Sequence, residues 1–137
     1  MNSKPKIMVV DDDPAICDVL HKYLGKKGYN ITTFTNPKLA LEFLKDNDYG
    51  LLLVDINMSE MSGIEVVKAV KGIKPLLPII VMSGSSDRAE IEEVVKMGIS
   101  GFFSKPFDLL SLLSSILTIK TQSLPDRQTE RTGSVVY

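Results

Sequence analysis

The chain has 137 residues, enough for one domain with a single buried core and no need of disulfides or a structural metal. Apolar residues make up 44% and charged residues 24%, and a net charge of -1 gives no electrostatic case for binding nucleic acid or an anionic membrane. One cysteine and one histidine exclude an internal disulfide and fall short of a zinc ligand set. Cys17 is expected to pack within a helix and His21 to lie on the surface of the same helix. No apolar run approaches the ~20 residues of a membrane span, and MNSKPKI lacks the apolar centre of a signal peptide. The expected location is cytoplasmic.

Taken in chain order, Ile7 to Val10 forms a short branched apolar run of strand type, and it leads into Asp11, Asp12 and Asp13. Adjacent negative charges repel by roughly 4 kcal/mol at ~4 Å when the effective dielectric is ~20, so three acids at a strand end need a counter-charge. Asp13 precedes Pro14 as a capping residue does, and Ile16, Leu20 and Leu24 continue at helical spacing toward Gly28. Ile31 to Phe34 is the second strand, followed by Asn36 and Pro37 as cap and first residue of a helix carrying Ala40, Phe43 and Leu44. Leu51 to Val54 is the third strand and ends at Asp55; GIEVVKAVKGI is a shorter helix, with Gly72 at its expected end.

Ile79 to Met82 is the fourth strand and ends at Ser83, before a helix with Ile91, Val94 and Val95 that is expected to stop near Gly98. Gly101 to Phe103 is the fifth strand, followed by Lys105 and Pro106; Asp108 can cap a last helix carrying Leu109, Leu112, Leu113 and Ile116. After Ile119 the composition turns polar and mixed in charge, so residues 120–137 are expected to be a tail or linker outside a domain spanning 1–119. The methionines read as gap filling, with Met58 and Met61 the ones near the third strand end.

Strict alternation of strands and helices points to an α/β fold, a doubly wound five-stranded parallel sheet with helices on both faces. Strands without period-two alternation suit a sheet covered on both sides. Ligands in such a sheet bind beyond the carboxyl ends of the strands, and there the acids, Ser83 and Lys105 should meet. Clustered carboxylates favour a hard cation such as Mg2+, which takes one or two carboxylates plus a phosphate. One acid could then act as a nucleophile toward a phosphoryl donor, with Lys105 and Ser83 meeting the phosphoryl oxygens.

Four segments in order, VVDDDP, LLLVDINMSEMSG, IIVMSG and SKPF, resemble the receiver domain of two-component response regulators, the CheY-like superfamily. The resemblance implies a flavodoxin-like strand order 2-1-3-4-5 and a phosphorylation-gated signalling module rather than an enzyme, although one that assists its own phosphorylation and dephosphorylation. It implies that Asp55 accepts a phosphoryl group from a sensor histidine kinase or phosphotransfer protein. Asp12 would ligate the metal directly, Asp11 through water and Asn57 through its backbone carbonyl. Ser83 would bond the new phosphoryl group, and Lys105 would pair with Asp55 before reaction and with the phosphoryl afterwards. Phe102 falls at the aromatic switch position, and Asp13, where the family usually has Glu, reads mainly as a helix cap.

Two departures stand out. Ser59 replaces a usual proline, so the loop after Asp55 is expected to be more mobile; and Ser100 and Gly101 stand where the winged-helix subfamily carries acids, which argues against that subfamily's salt-bridged dimer. A receiver alone encodes neither its kinase nor its output, and a stand-alone regulator and a fragment of a longer protein are both compatible with this sequence. Leu110 and Leu117 suggest association through a face made of the fourth helix, fifth strand and fifth helix, including a homodimer. A Mg2+-dependent aspartyl-phosphate phosphatase is the alternative chemistry, opposed by IN rather than the xD of a DxD loop after Asp55. A pseudo-receiver scaffold is the other, opposed by the complete set of acids, Asp55, Ser83 and Lys105.

Overall fold

The computed structural model describes residues 4–84 and 87–123, with 120–123 as backbone. Five strands alternate with five helices: β1 Lys6–Val10, α1 Pro14–Lys26, β2 Asn30–Phe34, α2 Pro37–Asp46, β3 Leu51–Asp55, α3 Gly63–Ile73, β4 Ile79–Ser83, α4 Arg88–Val95, β5 Gly101–Ser104 and α5 Leu109–Ser123. All neighbouring strands are parallel, in the order β2-β1-β3-β4-β5. The winding direction reverses at β1, so the crevice of the topological switch opens between the ends of β1 and β3.

Successive strand side chains point to opposite faces, and both faces are buried. Ile7, Val9, Leu51, Leu53, Ile80 and Met82 pack with Cys17, Leu20 and Leu24 of α1 and Leu112 and Ile116 of α5. The residues between them, Met8, Val10, Leu52, Val54, Ile79 and Val81, pack with Ala40 and Leu44 of α2, Val66, Val67 and Val70 of α3, and Val94 of α4. A sheet covered this way requires apolar residues at every position, which is why the central strands do not alternate.

Caps hold the helix starts at the crevice. The Asp13 carboxylate accepts from Ala15 N with Pro14 at the first helical position, and Asn36 accepts from Lys38 N and Leu39 N ahead of Pro37. Ser62 and Glu65 form a reciprocal capping box on α3, and Asp108 accepts from Ser111 N in the first turn of α5. Gly28 and Gly98 leave their helices at φ 98° and 81°, a conformation that disfavours any side chain. Gly72, expected as a terminator, lies inside α3, which closes at Lys74 instead. The helix α5 continues through Ser123, past the expected boundary at Ile119, and the rest of the expected tail lies outside the described residues.

Phe43 and Val95 depart from the expected core faces, being 42% and 51% exposed. Helical spacing selects a wide stripe, and these two sit at its edge; the Phe43 ring stands 5.5 Å from Phe34 and 6.4 Å from Tyr49. Among the described residues no helix is long and apolar enough to cross a membrane.

Candidate functional site

The acids lie where β1 and β3 end. Val10 is the last residue of β1, and its parallel partner across the sheet is Val54, so Asp11 and Asp55 emerge side by side. Asp11 is fully buried and Asp55 is 3% exposed, whereas Asp12 points to solvent. Carboxylate oxygens of the three lie within 4.8 Å of one another. They line a cleft of about 430 Å3, shared with Asp13, Asn57, Gly84 and Lys105.

Each acid is held by a separate donor. Asp13 N donates to Asp11 Oδ1 at 2.9 Å, Asn57 N to Asp55 Oδ1 at 3.1 Å, and Ser59 N to Asp12 Oδ2 at 3.2 Å. Lys105 reaches in from the end of β5, where a cis peptide bond joins it to Pro106. Its ammonium donates to Asp11 Oδ2 at 2.7 Å and stands 3.5 Å from Asp55 Oδ2. The expected Lys105–Asp55 pair is therefore present, but the shorter contact is to Asp11.

Burial pushes the Asp55 carboxyl up to about 6, and the neighbouring Asp11 and Asp12 charges add to the rise, while the Asn57 N–H and Lys105 oppose it. Burial depresses Lys105, but the hydrogen bond and charge of Asp11, together with Asp55, outweigh that and leave it above the ordinary lysine value. Three carboxylates and one ammonium leave negative charge in excess. Hard oxygen donors with a solvent-facing member, Asp12, fit a hydrated divalent cation of the magnesium type.

Ser83, at the end of β4, is fully buried, and its Oγ donates to Asn57 Oδ1 at 3.0 Å. The same amide oxygen accepts from Gly84 N at 3.1 Å, so Asn57 ties the loop after β3 to the loop after β4. This side-chain role was missed from the sequence, where Asn57 counted only for its carbonyl; an amide two residues after Asp55 was the available signal. The loop also closes on itself: Gly63 N donates to Ile56 O at 3.1 Å, and a Cβ on Gly63 would overlap the Ile56 backbone. In this loop Ser59 N donates to Asp12, a bond that the proline usual at this position could not make.

Phe102 is half-buried against the apolar cluster that includes Val94 of α4. Met58 and Met61 pack partly against the same cluster. Cys17 is buried beneath the site, its thiol donating to Asp11 O at 3.3 Å, and burial pushes its pKa up to about 11, away from thiolate formation. His21 is exposed, as expected.

Comparison with known proteins agrees with this geometry. FixJ of Bradyrhizobium diazoefficiens, a transcriptional regulatory protein, is 32% identical over 95% of this chain and 63% of its own length. The cell cycle transcriptional regulator CtrA of Caulobacter vibrioides is 30% identical over 96% of this chain and 57% of its own. The chain thus spans less than two thirds of these relatives. Full-length FixJ from B. japonicum superposes with a TM-score of 0.84 at 31% identity, over 92% of this chain and 62% of that one. A CheY-like receiver domain protein from Methanospirillum hungatei JF-1, at 24% identity, shares the fold with a TM-score of 0.84 over 89% of this chain and 97% of its own. Residues 7–117 match the response regulator receiver domain model, and with Asp55 seated among Asp11, Asp12 and Lys105 this chain belongs to that family of phosphorylation-gated modules in two-component signalling.

Proposed function

We propose that Asp55 is the phosphoacceptor, taking a phosphoryl group from the phosphohistidine of a sensor histidine kinase or phosphotransfer protein. The observation that carries this is a carboxylate 3% exposed at the end of β3, within 4.8 Å of two further acids and 3.5 Å from an ammonium. An Asp55 oxygen attacks phosphorus, the P–N bond of the donor breaks, and the imidazole leaves with that electron pair. Asp11, Asp12, Asp55 and the Asn57 carbonyl would hold Mg2+, which supplies charge neutralisation for the incoming phosphoryl oxygens. Lys105 shifts from the carboxylates toward the phosphoryl group, and Ser83 donates to it. The module thereby assists both its own phosphorylation and its dephosphorylation.

The charge added, about -1.5 to -2, is the signal. Ser83 drawn toward Asp55 must leave the Asn57 amide, and the space it vacates admits Phe102. The helix α4, strand β5 and helix α5 then present an altered face to a partner, an output domain or a second copy. Leu110 and Leu117 on that face are 65% and 46% exposed, which supports an apolar contact there. The named relatives are transcriptional regulators longer than this chain, which spans 63% and 57% of their lengths. The reading places this domain in the cytoplasm, without direct contact with nucleic acid or membrane.

Incubation with Mg2+ and acetyl phosphate, followed by intact mass measurement, tests the acceptor. One added phosphate, labile to hydroxylamine and absent in Asp55→Asn, is expected; undiminished labelling of that variant would move the acceptor elsewhere.

A further inference from the structure

Asp12 is the exposed member of the acid cluster, on a side chain that solvent would otherwise leave free to rotate. Among the described residues its carboxylate accepts a backbone hydrogen bond from Ser59, 47 positions further along the chain, at 3.2 Å. Ser59 stands in the loop that leaves Asp55, so this bond joins the β1–α1 turn to the β3–α3 loop directly across the cleft. A proline at 59 has no N–H and could not make it.

We propose that the Ser59 N–H is a positioning group for the cation site, fixing Asp12 Oδ2 so that its other oxygen is presented to the divalent ion. The inference rests on the reading of Asp12 as a magnesium ligand. The bond, 3.2 Å long, lies within hydrogen-bond range and restrains the rotation of the Asp12 carboxylate before the cation arrives. The bond also couples the ion to the loop. That loop carries Asn57, whose amide oxygen holds Ser83 and Gly84, so occupancy at Asp12 reaches the β4 end through two hydrogen-bonded steps.

Ser59→Pro removes the donor and leaves every acid in place; Ser59→Ala keeps the N–H and removes only the hydroxyl. Melting temperature measured against Mg2+ concentration gives an apparent affinity for each protein without any phosphoryl donor. The expected result is a three- to tenfold weaker affinity in Ser59→Pro and an affinity within twofold of the parent in Ser59→Ala. Equal affinity in Ser59→Pro, or equal weakening in both variants, overturns the proposal while leaving magnesium binding intact. A parent protein that ignores Mg2+ overturns the cation reading itself, and the proposal with it.

Should Ser59→Pro fail to fold, amide hydrogen exchange of the parent and of Asp12→Ala decides the matter. Ser59 N–H is expected to exchange at least several-fold faster in Asp12→Ala under Mg2+-free conditions. An unchanged rate overturns the proposal.

Discussion

The centre of the sheet and its β5 edge are built differently. Every residue of β3 and β4 is buried, as are the last four of β1, whereas β5 has three half-buried residues and one exposed. Among the helices on that side, α4 is short and buries Val94 alone. The acids thus grow from the ends of the most deeply buried strands, while Phe102, Val95, Leu110 and Leu117 belong to a part with fewer buried residues. Local opening costs least where burial is thinnest. Chemistry that depends on carboxylates a few ångströms apart needs the former, and a surface that must change on phosphorylation needs the latter.

The comparison breaks most directly at Leu53, fully buried in β3. Leu53→Ala is expected to cost about 3–4 kcal/mol in urea unfolding, from lost transfer energy and a cavity that close-packed neighbours cannot collapse into. A loss below about 1.5 kcal/mol would mean that the centre is no stiffer than the edge.

The next effect has the opposite sign. Asp55 is raised to about 6 by burial and by its acidic neighbours, so the folded protein holds this proton more tightly than the unfolded chain does. Stability from this group is therefore highest in acid and falls as pH rises from about 4 through about 6. Asp55→Asn removes that fall: in Mg2+-free buffer at pH 7 to 8 it should be more stable than the parent by on the order of 1–3 kcal/mol. The advantage should shrink as pH is lowered toward 4. A parent as stable as the variant at pH 8 without metal would show that the burial cost and the repulsion at Asp55 are already relieved.

Phe102→Ala sharpens the contrast from the edge side. A half-buried ring in a strand of intermediate exposure should cost about 1–2 kcal/mol, less than the usual ~3–5 for a fully buried phenylalanine. Labelling of Asp55 by acetyl phosphate should survive in this variant. A loss as large as that of Leu53→Ala would place Phe102 in the core and remove it as a switch.

The smallest stability effect belongs to Leu110→Glu with Leu117→Glu, expected within about 0.5 kcal/mol because both residues are exposed. Phosphorylation-dependent association, followed by light scattering, should nonetheless vanish while Asp55 is still labelled. Association unchanged in the double variant would assign the contact to another face.

What the sequence by itself determined is what short-range rules govern. Uninterrupted apolar runs in the central strands announce a sheet covered on both faces, Asp13 with Pro14 and Asn36 with Pro37 announce helix starts, and the alternation of elements announces that the strands run parallel. From these follows the meeting of Asp11, Asp12, Asp55, Ser83 and Lys105 at one sheet edge, because parallel strands end on the same side. Only the tertiary structure decided which partner each polar group takes. Lys105 lies closer to Asp11 than to Asp55, the Asn57 amide holds Ser83, and Ser59 N–H crosses the cleft to Asp12. The same holds for Phe43 and Val95, apolar at helical spacing yet exposed. Periodicity assigns a residue to a face; a hydrogen bond or a covered side chain also depends on distances of a few tenths of an ångström between segments far apart in the chain, and those are set by how the packed layers come together.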